Sequence, residues 1–379
     1  MDSKNKVKSC YIHIPFCKKI CSYCDFCKLF YNEKLVDKYL SALEKEIDAN
    51  YKNEILETIY IGGGTPSSLN LEQLKKLFNI IKKLNKSETI EYTIECNFDT
   101  TTKEKLNLFK EYGINRLSFG IESINNDNLK LLERENITSE IIDKISYAKN
   151  IGFNNINVDL MYALPNETID ILNKDLDFIL SLDVEHISTY SLIIEEHTKL
   201  YINNTTNIND ELDEEMYKLI CNRLKENNYN HYEISNFSKI GKESRHNTCY
   251  WNNDEYYGFG LGAASYINNY RNNNTRSINQ YLKANYIKDK EYISIKDKEE
   301  YEILLNLRKS EGISLIKFKD LYNVDFTSKY KIESLLKNNF LKIENNHLFI
   351  PEDKWYISNE IIVKIIEGEE KWIMKNYLK

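Results

Sequence analysis

The chain has 379 residues, a formal net charge of −7, 42% hydrophobic and 29% charged residues. That length can bury a large core and leaves room for a second, smaller unit. The acidic balance argues against a general nucleic-acid binder, because phosphate neutralisation needs clustered Lys and Arg, and no apolar run approaches the roughly 20 residues that span a bilayer. The N-terminus carries neither a secretion signal nor a basic amphipathic import helix, so a cytoplasmic protein with reduced thiols is expected.

The first strand is predicted at Cys10–Pro15. Cys17, Cys21 and Cys24 follow it at once, spaced C-x3-C-x2-C. Three thiolates on one short loop can hold three irons of a [4Fe–4S] cluster. The fourth iron then has no ligand from this motif and is open to a small molecule. A structural zinc site needs a second pair of ligands. The remaining cysteines, Cys10, Cys27, Cys96, Cys221 and Cys249, form no second C-x2-C knuckle. Cys27 stays open as a spare thiol or a conditional ligand.

Lys34–Ala49 reads as an amphipathic helix, with Leu35, Tyr39, Leu40, Leu43 and Ile47 on one face. Further strands are predicted at Thr58–Ile61, Tyr92–Glu95, Arg116–Ile121, Ile156–Tyr162 and Ile187–Leu192, with helical patterns between them. Repeated strand-then-helix units imply an α/β fold with a parallel sheet and outer helices. Right-handed crossovers curl such a sheet toward a barrel or partial barrel. The polar and glycine-rich motifs fall at the C-terminal ends of these strands: Cys17, Gly62-Gly63-Gly64-Thr65-Pro66, Glu95 with Asn97, Gly120 with Glu122, and Asp159 ahead of Leu164-Pro165. In barrels that face carries the active site.

Tyr201–Glu215 reads as a polar surface loop entering a helix, and His231–Ile234 as a seventh strand. Ser244-Arg-His-Asn-Thr-Cys-Tyr-Trp251 then leads to Gly258-Phe-Gly-Leu-Gly-Ala-Ala-Ser265. Near residue 290 the pattern changes. Lys298–Ser310 is a helix stopped by Gly312, Phe326–Pro351 a helix and a hairpin around Asn345-Asn346, and Ile357–Lys379 a last helix. The expected division is a core over 1–235, an extension over 236–289 and a winged-helix-like unit over 290–379.

Together these motifs resemble the radical S-adenosylmethionine superfamily, and within it the group of oxygen-independent coproporphyrinogen III oxidase and its heme-chaperone relatives. The match covers nearly the whole chain. It rests on Tyr11-Ile-His-Ile-Pro-Phe-Cys17, Gly62-Gly-Gly-Thr-Pro-Ser67, Arg116-Leu-Ser-Phe-Gly-Ile-Glu-Ser123, Asn157-Val-Asp-Leu-Met-Tyr-Ala-Leu-Pro165 and His231-Tyr-Glu-Ile-Ser-Asn-Phe237. The resemblance implies S-adenosylmethionine chelating the open iron, with radical chemistry supplied by that cofactor. It implies Gly63, Gly64 and Thr65 against the methionine end, Glu95 on the ribose hydroxyls or a nearby polar group, and Arg134 and Asp159 completing the polar shell. Tyr11 and Tyr23 would pack around cluster and cofactor. Glu122 stands where relatives often carry Gln, keeping acceptors but losing an amide donor. From the residues alone, a tight turn, ordinary ion pairs and core aromatics are the competing accounts of these positions.

Three features separate the chaperones from the oxidase. The oxidase pattern has a fourth cysteine two residues after the third, where this chain has Phe26. The oxidase has a long N-terminal extension, whereas sixteen residues precede Cys17 here. Arg245-His246-Asn247-Thr248-Cys249-Tyr250-Trp251 carries the H-N-x-x-Y-W signature of the chaperones. The resemblance assigns heme iron to His246, a good axial ligand type, with Tyr250 and Trp251 able to flank the macrocycle and Cys249 as a competing ligand. Ala264 stands where relatives often have a histidine. The expected function is binding of heme and its transfer to an acceptor, which could be a membrane-associated respiratory protein. The alternatives are radical decarboxylation of coproporphyrinogen III and a purely structural Fe–S protein.

Overall fold

The computed structural model describes residues 7–368. Six parallel strands form its centre: β1 (Ser9–Ile14), β2 (Leu56–Gly63), β3 (Lys86–Cys96), β4 (Arg116–Glu122), β5 (Ile156–Tyr162) and β6 (His186–Ser191). They match the expected strands to within a few residues, except that β3 starts six residues before the predicted Tyr92. The later strands are β7 (Asn230–Glu233), β8 (Asn236–Ser238), β9 (Tyr256–Phe259), β10 (Ala264–Ile267), β11 (Tyr270–Asn274) and β12 (Ile287–Tyr292). All twelve join one sheet in the order β12-β11-β10-β9-β1-β2-β3-β4-β5-β6-β8-β7. The sheet is open, with β12 and β7 at its edges, as a partial barrel requires.

The connecting helices include α1 (Glu33–Asn50), α2 (Leu71–Ile81), α3 (Lys103–Glu111), α4 (Asn126–Leu132), α5 (Thr138–Asn150), α6 (Ile169–Ser181) and α7 (Asp210–Glu226). Their starts are chemically marked. Asn70 and Gln73 form a reciprocal capping box on α2, and the side chains of Asn32, Thr102 and Thr168 cap α1, α3 and α6. Strand side chains alternate between two faces. Ile59, Ile61, Ile94, Val158, Leu160 and Ile187 bury in the apolar core. Their neighbours Tyr60, Glu95, Asn157, Asp159, Ser188 and Tyr190 line a cavity on the other face. The barrel therefore has an apolar jacket and a polar interior.

The expected seventh strand exists as β7, but within the sheet it pairs with β8, which in turn runs antiparallel to β6, and its Glu233 bridges to Lys309. The 235/236 division falls between these two paired strands, and residue 290 lies inside β12. The extension continues the same sheet: β9 is parallel to β1, and β10 to β12 add on antiparallel. Helix α8 (Arg245–Trp251) lies between β8 and β9 in sequence. Helix α9 (Ile295–Asn306) opens the C-terminal unit, starting earlier than predicted because Ser294 and Asp297 form its capping box. A three-stranded sheet of Ile313–Ser314, His347–Phe349 and Lys342–Glu344 follows, with short helices between its strands. The hairpin turns at Asn345-Asn346 as expected, both with positive φ. The last described helix is Ser358–Glu367; the rest of the predicted Ile357–Lys379 helix lies outside the described residues.

Candidate functional site

The cysteine loop is tied at both ends. Cys17 closes the short strand Phe16–Cys17, which pairs with Leu29–Phe30, and the Tyr31 N–H donates to the Cys17 carbonyl (2.8 Å). Its middle is pinned where Ser22 donates from its backbone to Leu132 O (3.2 Å) and from Oγ to Leu131 O (2.6 Å). Cys17, Cys21 and Cys24 then line one cavity of about 350 Å³, together with the glycine loop. Cys27 lines a different cavity and sits close under Gly262, where an added Cβ would come within 2.7 Å of the Cys27 Cβ.

Burial pushes the Cys17 thiol up to about 11 and raises Cys24 as well. Such thiols become thiolates only when a metal's charge displaces the proton. Among the described residues no three His, Cys, Asp or Glu side chains converge on one point to bind a single ion. A cubane makes no such demand, since each thiolate binds its own iron. Positive groups stand by the sulfurs: Arg134 Nη1 donates to Cys21 Sγ (3.5 Å), and the Lys28 ammonium to the Cys24 carbonyl. Both suit a cluster of net negative charge.

The glycine loop is held against the cysteines. The Gly64 N–H donates to Ile14 O (2.9 Å), the Thr65 N–H to Phe16 O (3.0 Å), and Thr65 Oγ1 to Cys17 Sγ (3.6 Å). A Cβ on Gly64 would fall 2.9 Å from that sulfur, and one on Gly63 would enter the His13 ring at 2.5 Å. Gly63 also has φ +115°, which favours glycine. Its N–H donates to Glu95 Oε2 (2.8 Å), while the Tyr60 hydroxyl donates to Glu95 Oε1 (2.9 Å). Opposite, Arg134 Nη2 donates to Gly120 O (2.9 Å) and Asn97 Oδ1 (3.1 Å), and Nη1 to the Tyr23 hydroxyl oxygen (3.2 Å). Nη1 is also 3.4 Å from Glu122 Oε1, which accepts from Tyr23 (3.1 Å). Glu122 has φ +64° at an irregularity in the β4–β5 register, turning its carboxylate into the cavity.

Asp159 is the unbalanced member of this shell. It accepts from Asn157 Nδ2 (2.7 Å). Burial, then the Glu122 and Glu95 carboxylates, push it up to about 7. Burial raises Glu95 too, and it raises Glu122 against the pull of Arg134. A ligand bringing positive charge beside Asp159 would relieve this cost. S-adenosylmethionine carries an ammonium and a sulfonium, so the donor set fits both that cofactor and a three-cysteine cluster.

Tyr11 stands behind this cavity. Its hydroxyl meets His13 Nδ1 (2.9 Å), and its ring faces Tyr60. It lines a second cavity of about 760 Å³ with Cys27, His246, Tyr250, Tyr256 and Tyr266. Tyr60, Glu95, Phe26 and Asn247 line both cavities. Helix α8 is held under the barrel by Glu91, whose two oxygens accept the Arg245 and His246 N–H groups (each 3.0 Å). His246 is buried, with Nδ1 against Thr58 Oγ1 and Nε2 against the Tyr250 hydroxyl (both 2.8 Å). Burial, then Arg116, lower it to about 3, so the ring is neutral. Neither ring nitrogen is free. Cys249 opens onto a groove on the other side of α8, away from the aromatic cavity.

Residues 11–179 match the model of the radical SAM superfamily. The chain is 37% identical over 371 residues to heme chaperone HemW of Bacillus subtilis, covering 94% of this chain and 98% of that protein. It is 35% identical to heme chaperone HemW of Lactococcus lactis over 95% and 98% of the two chains. The chain belongs to the HemW family. The chain shares its fold with coproporphyrinogen III oxidase (HemN) of Escherichia coli: the TM-score is 0.85 over 95% of this chain and 90% of that one, at 19% identity. In this HemW-family chain, the predicted residues Cys17, Cys21, Cys24, Tyr23, Gly63, Gly64, Thr65, Glu95, Glu122, Arg134 and Asp159 all line the cysteine cavity, and Tyr11 and His246 line its neighbour. Sequence reading missed Tyr60, Arg116, Ser118, Ser188 and Tyr190. The alternation along β2, β4 and β6 was their available signal, since each shares the inward face with a motif residue or faces one across the sheet.

Proposed function

We propose that this chain binds heme and hands it to an acceptor protein, on a core that carries a [4Fe–4S] cluster on Cys17, Cys21 and Cys24 with S-adenosylmethionine beside it. The observation that carries the reading is the aromatic cavity of about 760 Å³, which shares a wall with the cysteine cavity. Its volume and its tyrosines suit a flat apolar macrocycle, and the relatives' name as heme chaperones points the same way.

The roles divide by cavity. Gly63, Gly64 and Thr65 offer close backbone approach to the cofactor's methionine end. Glu95, Glu122, Arg134 and Asp159 bind its polar groups, and Tyr23 holds Glu122 and Arg134 in place. When bound, S-adenosylmethionine supplies a source of radical chemistry. In the second cavity His246 is the proposed iron ligand. Its Nε2 becomes available when the Tyr250 hydroxyl turns away from it. Tyr11 forms part of the shared wall. The cluster thiols suit a reducing cytoplasm. No described helix is long and apolar enough to cross a membrane, so delivery to a membrane-associated respiratory protein would occur by docking.

Anaerobic heme titration of the cluster-loaded protein, followed by Soret absorbance, tests this. Saturable binding is expected, weakened tenfold or more in His246→Ala and tightened in Tyr250→Phe, which frees Nε2. No saturable binding by the wild type removes the carrier reading. Equal binding by His246→Ala moves the iron to Cys27, the thiol that faces the same cavity.

A further inference from the structure

Of the four residues shared by the two cavities, Tyr60 touches the key groups on both sides. Tyr60 lies in the middle of β2, inward-facing, and lines both. Toward the cysteine side its hydroxyl donates to Glu95 Oε1 at 2.9 Å. Toward the aromatic side its ring is stacked on the His246 imidazole, with centroids 5.2 Å apart and planes 25° from parallel. Its other neighbour is the Tyr11 ring, 6.2 Å away at 28°. Thr58, two residues earlier on the same face of β2, holds His246 Nδ1. Consecutive inward positions of one strand therefore touch the His246 ring, at Nδ1 and on its face.

Glu95 is already engaged at both oxygens. Oε2 is fixed by the Gly63 N–H, which belongs to the rigid glycine loop. Each oxygen keeps a second lone pair, and a ligand donor that reaches Oε1 from the cysteine cavity shares it with the Tyr60 hydroxyl or displaces that hydroxyl. A displaced hydroxyl leaves a ring that lies between those of His246 and Tyr11, so its movement changes the contact with the imidazole. Close-packed rings transmit such a shift instead of absorbing it.

Building on the cofactor and heme assignments above, we propose that Tyr60 is a positioning residue that couples the two cavities, so that S-adenosylmethionine on Glu95 resets His246 and changes heme affinity. The coupling is reciprocal, because linkage makes heme change cofactor affinity by the same factor.

The test compares wild type with Tyr60→Phe, which keeps the stacked ring and removes only the hydroxyl. Cluster absorbance and a S-adenosylmethionine titration establish that both proteins are loaded. Heme dissociation constants are then measured with and without saturating S-adenosylmethionine. The expected wild-type change is about fivefold or more, with the same factor for the cofactor when heme is present. In Tyr60→Phe the change should fall below about twofold, whereas a tyrosine that only packs would leave the factor intact. Hydrogen exchange of the Arg245–Trp251 amides, with and without S-adenosylmethionine and without heme, gives a second readout: the cofactor should alter exchange in wild type and leave Tyr60→Phe unchanged. A wild-type heme affinity independent of cofactor overturns the proposal, as does full wild-type coupling in Tyr60→Phe. Failure of the wild type to bind heme counts against the carrier reading, and the exchange experiment still decides the role of Tyr60.

Discussion

Replacing Asp159 with asparagine should stabilise the cluster-free protein, and the gain should grow with pH. The Asp159 carboxyl is raised from 3.8 to about 7 by burial and by the Glu122 and Glu95 charges. A carboxyl whose folded value lies above its unfolded one binds its proton more tightly when folded. Stability is then lost as pH rises through the window from 3.8 to about 7. Each pH unit carries about 1.4 kcal/mol, so the full loss is ~4 kcal/mol above neutrality and vanishes near pH 4. The Asp159→Asn side chain would keep an acceptor for the Asn157 Nδ2 donor, now 2.7 Å from Asp159 Oδ1, and point an amide donor at the neighbouring carboxylates. Urea unfolding at pH 5, 6, 7 and 8 measures the difference. The variant should gain about 3 to 4 kcal/mol at pH 8 and under ~2 kcal/mol at pH 5. The same variant should bind S-adenosylmethionine more weakly, because the cavity has lost the charge that the cofactor offsets. Parallel pH profiles for the two proteins, or a less stable variant at pH 8, would refute the reasoning.

Other outcomes follow from the same geometry. Arg134→Met leaves the Glu122 carboxylate buried beside no cation and should cost about 3 to 5 kcal/mol in urea unfolding. Adding Glu122→Gln should recover a good part of that loss; if the two losses simply add, the pair does not work as a unit. Cys27→Ser should keep the cluster's visible absorbance after reconstitution, and serine at Cys17, Cys21 or Cys24 should lose it, since only Cys27 faces the other cavity. Glu46→Ala removes the acceptor of three buried donors, the Gly260 N–H (2.8 Å), the Tyr281 hydroxyl (2.6 Å) and Asn274 Nδ2 (2.6 Å). Its thermal midpoint should fall by an amount equivalent to about 3 kcal/mol or more; an unchanged midpoint would show that water replaces the carboxylate at no cost.

The features written in contiguous residues could be read from the sequence. Cys17 to Cys24 and Gly62 to Thr65 are local motifs that follow strands, and the six central strands contain short apolar runs between helical patterns. What could not be read depends on partners far along the chain. The direction of Cys27 is set by Gly262, and the two nitrogens of His246 are taken by Thr58 and Tyr250. The imidazole motif suggested an open ligand, whereas packing has closed both its positions. Strands β11 and β12 are Tyr-Arg-Asn-Asn-Asn and Ile-Lys-Asp-Lys-Glu-Tyr, with little apolar alternation, so the extension gave no strand signal. Glu46 did leave a trace, an acid on the same helical face as Tyr39, Leu43 and Ile47, and its three partners account for it.

The seat of α8 on Glu91 also bears on how the chain is made. The carboxylate on β3 finds the Arg245 and His246 N–H groups only after the whole central barrel has been synthesised. Strand β1, the first to emerge, likewise waits for Tyr256–Phe259 to cover its free edge. Until then the nascent chain carries an unpaired strand edge and an acid without partners in the floor of its polar interior. Contacts of such long sequence separation form late and slowly. A ribosome-bound fragment ending at residue 235 should therefore remain protease-sensitive in β1 and β3. Protection should appear abruptly once the chain extends past Phe259, which makes iron loading of the finished interior a step that follows translation.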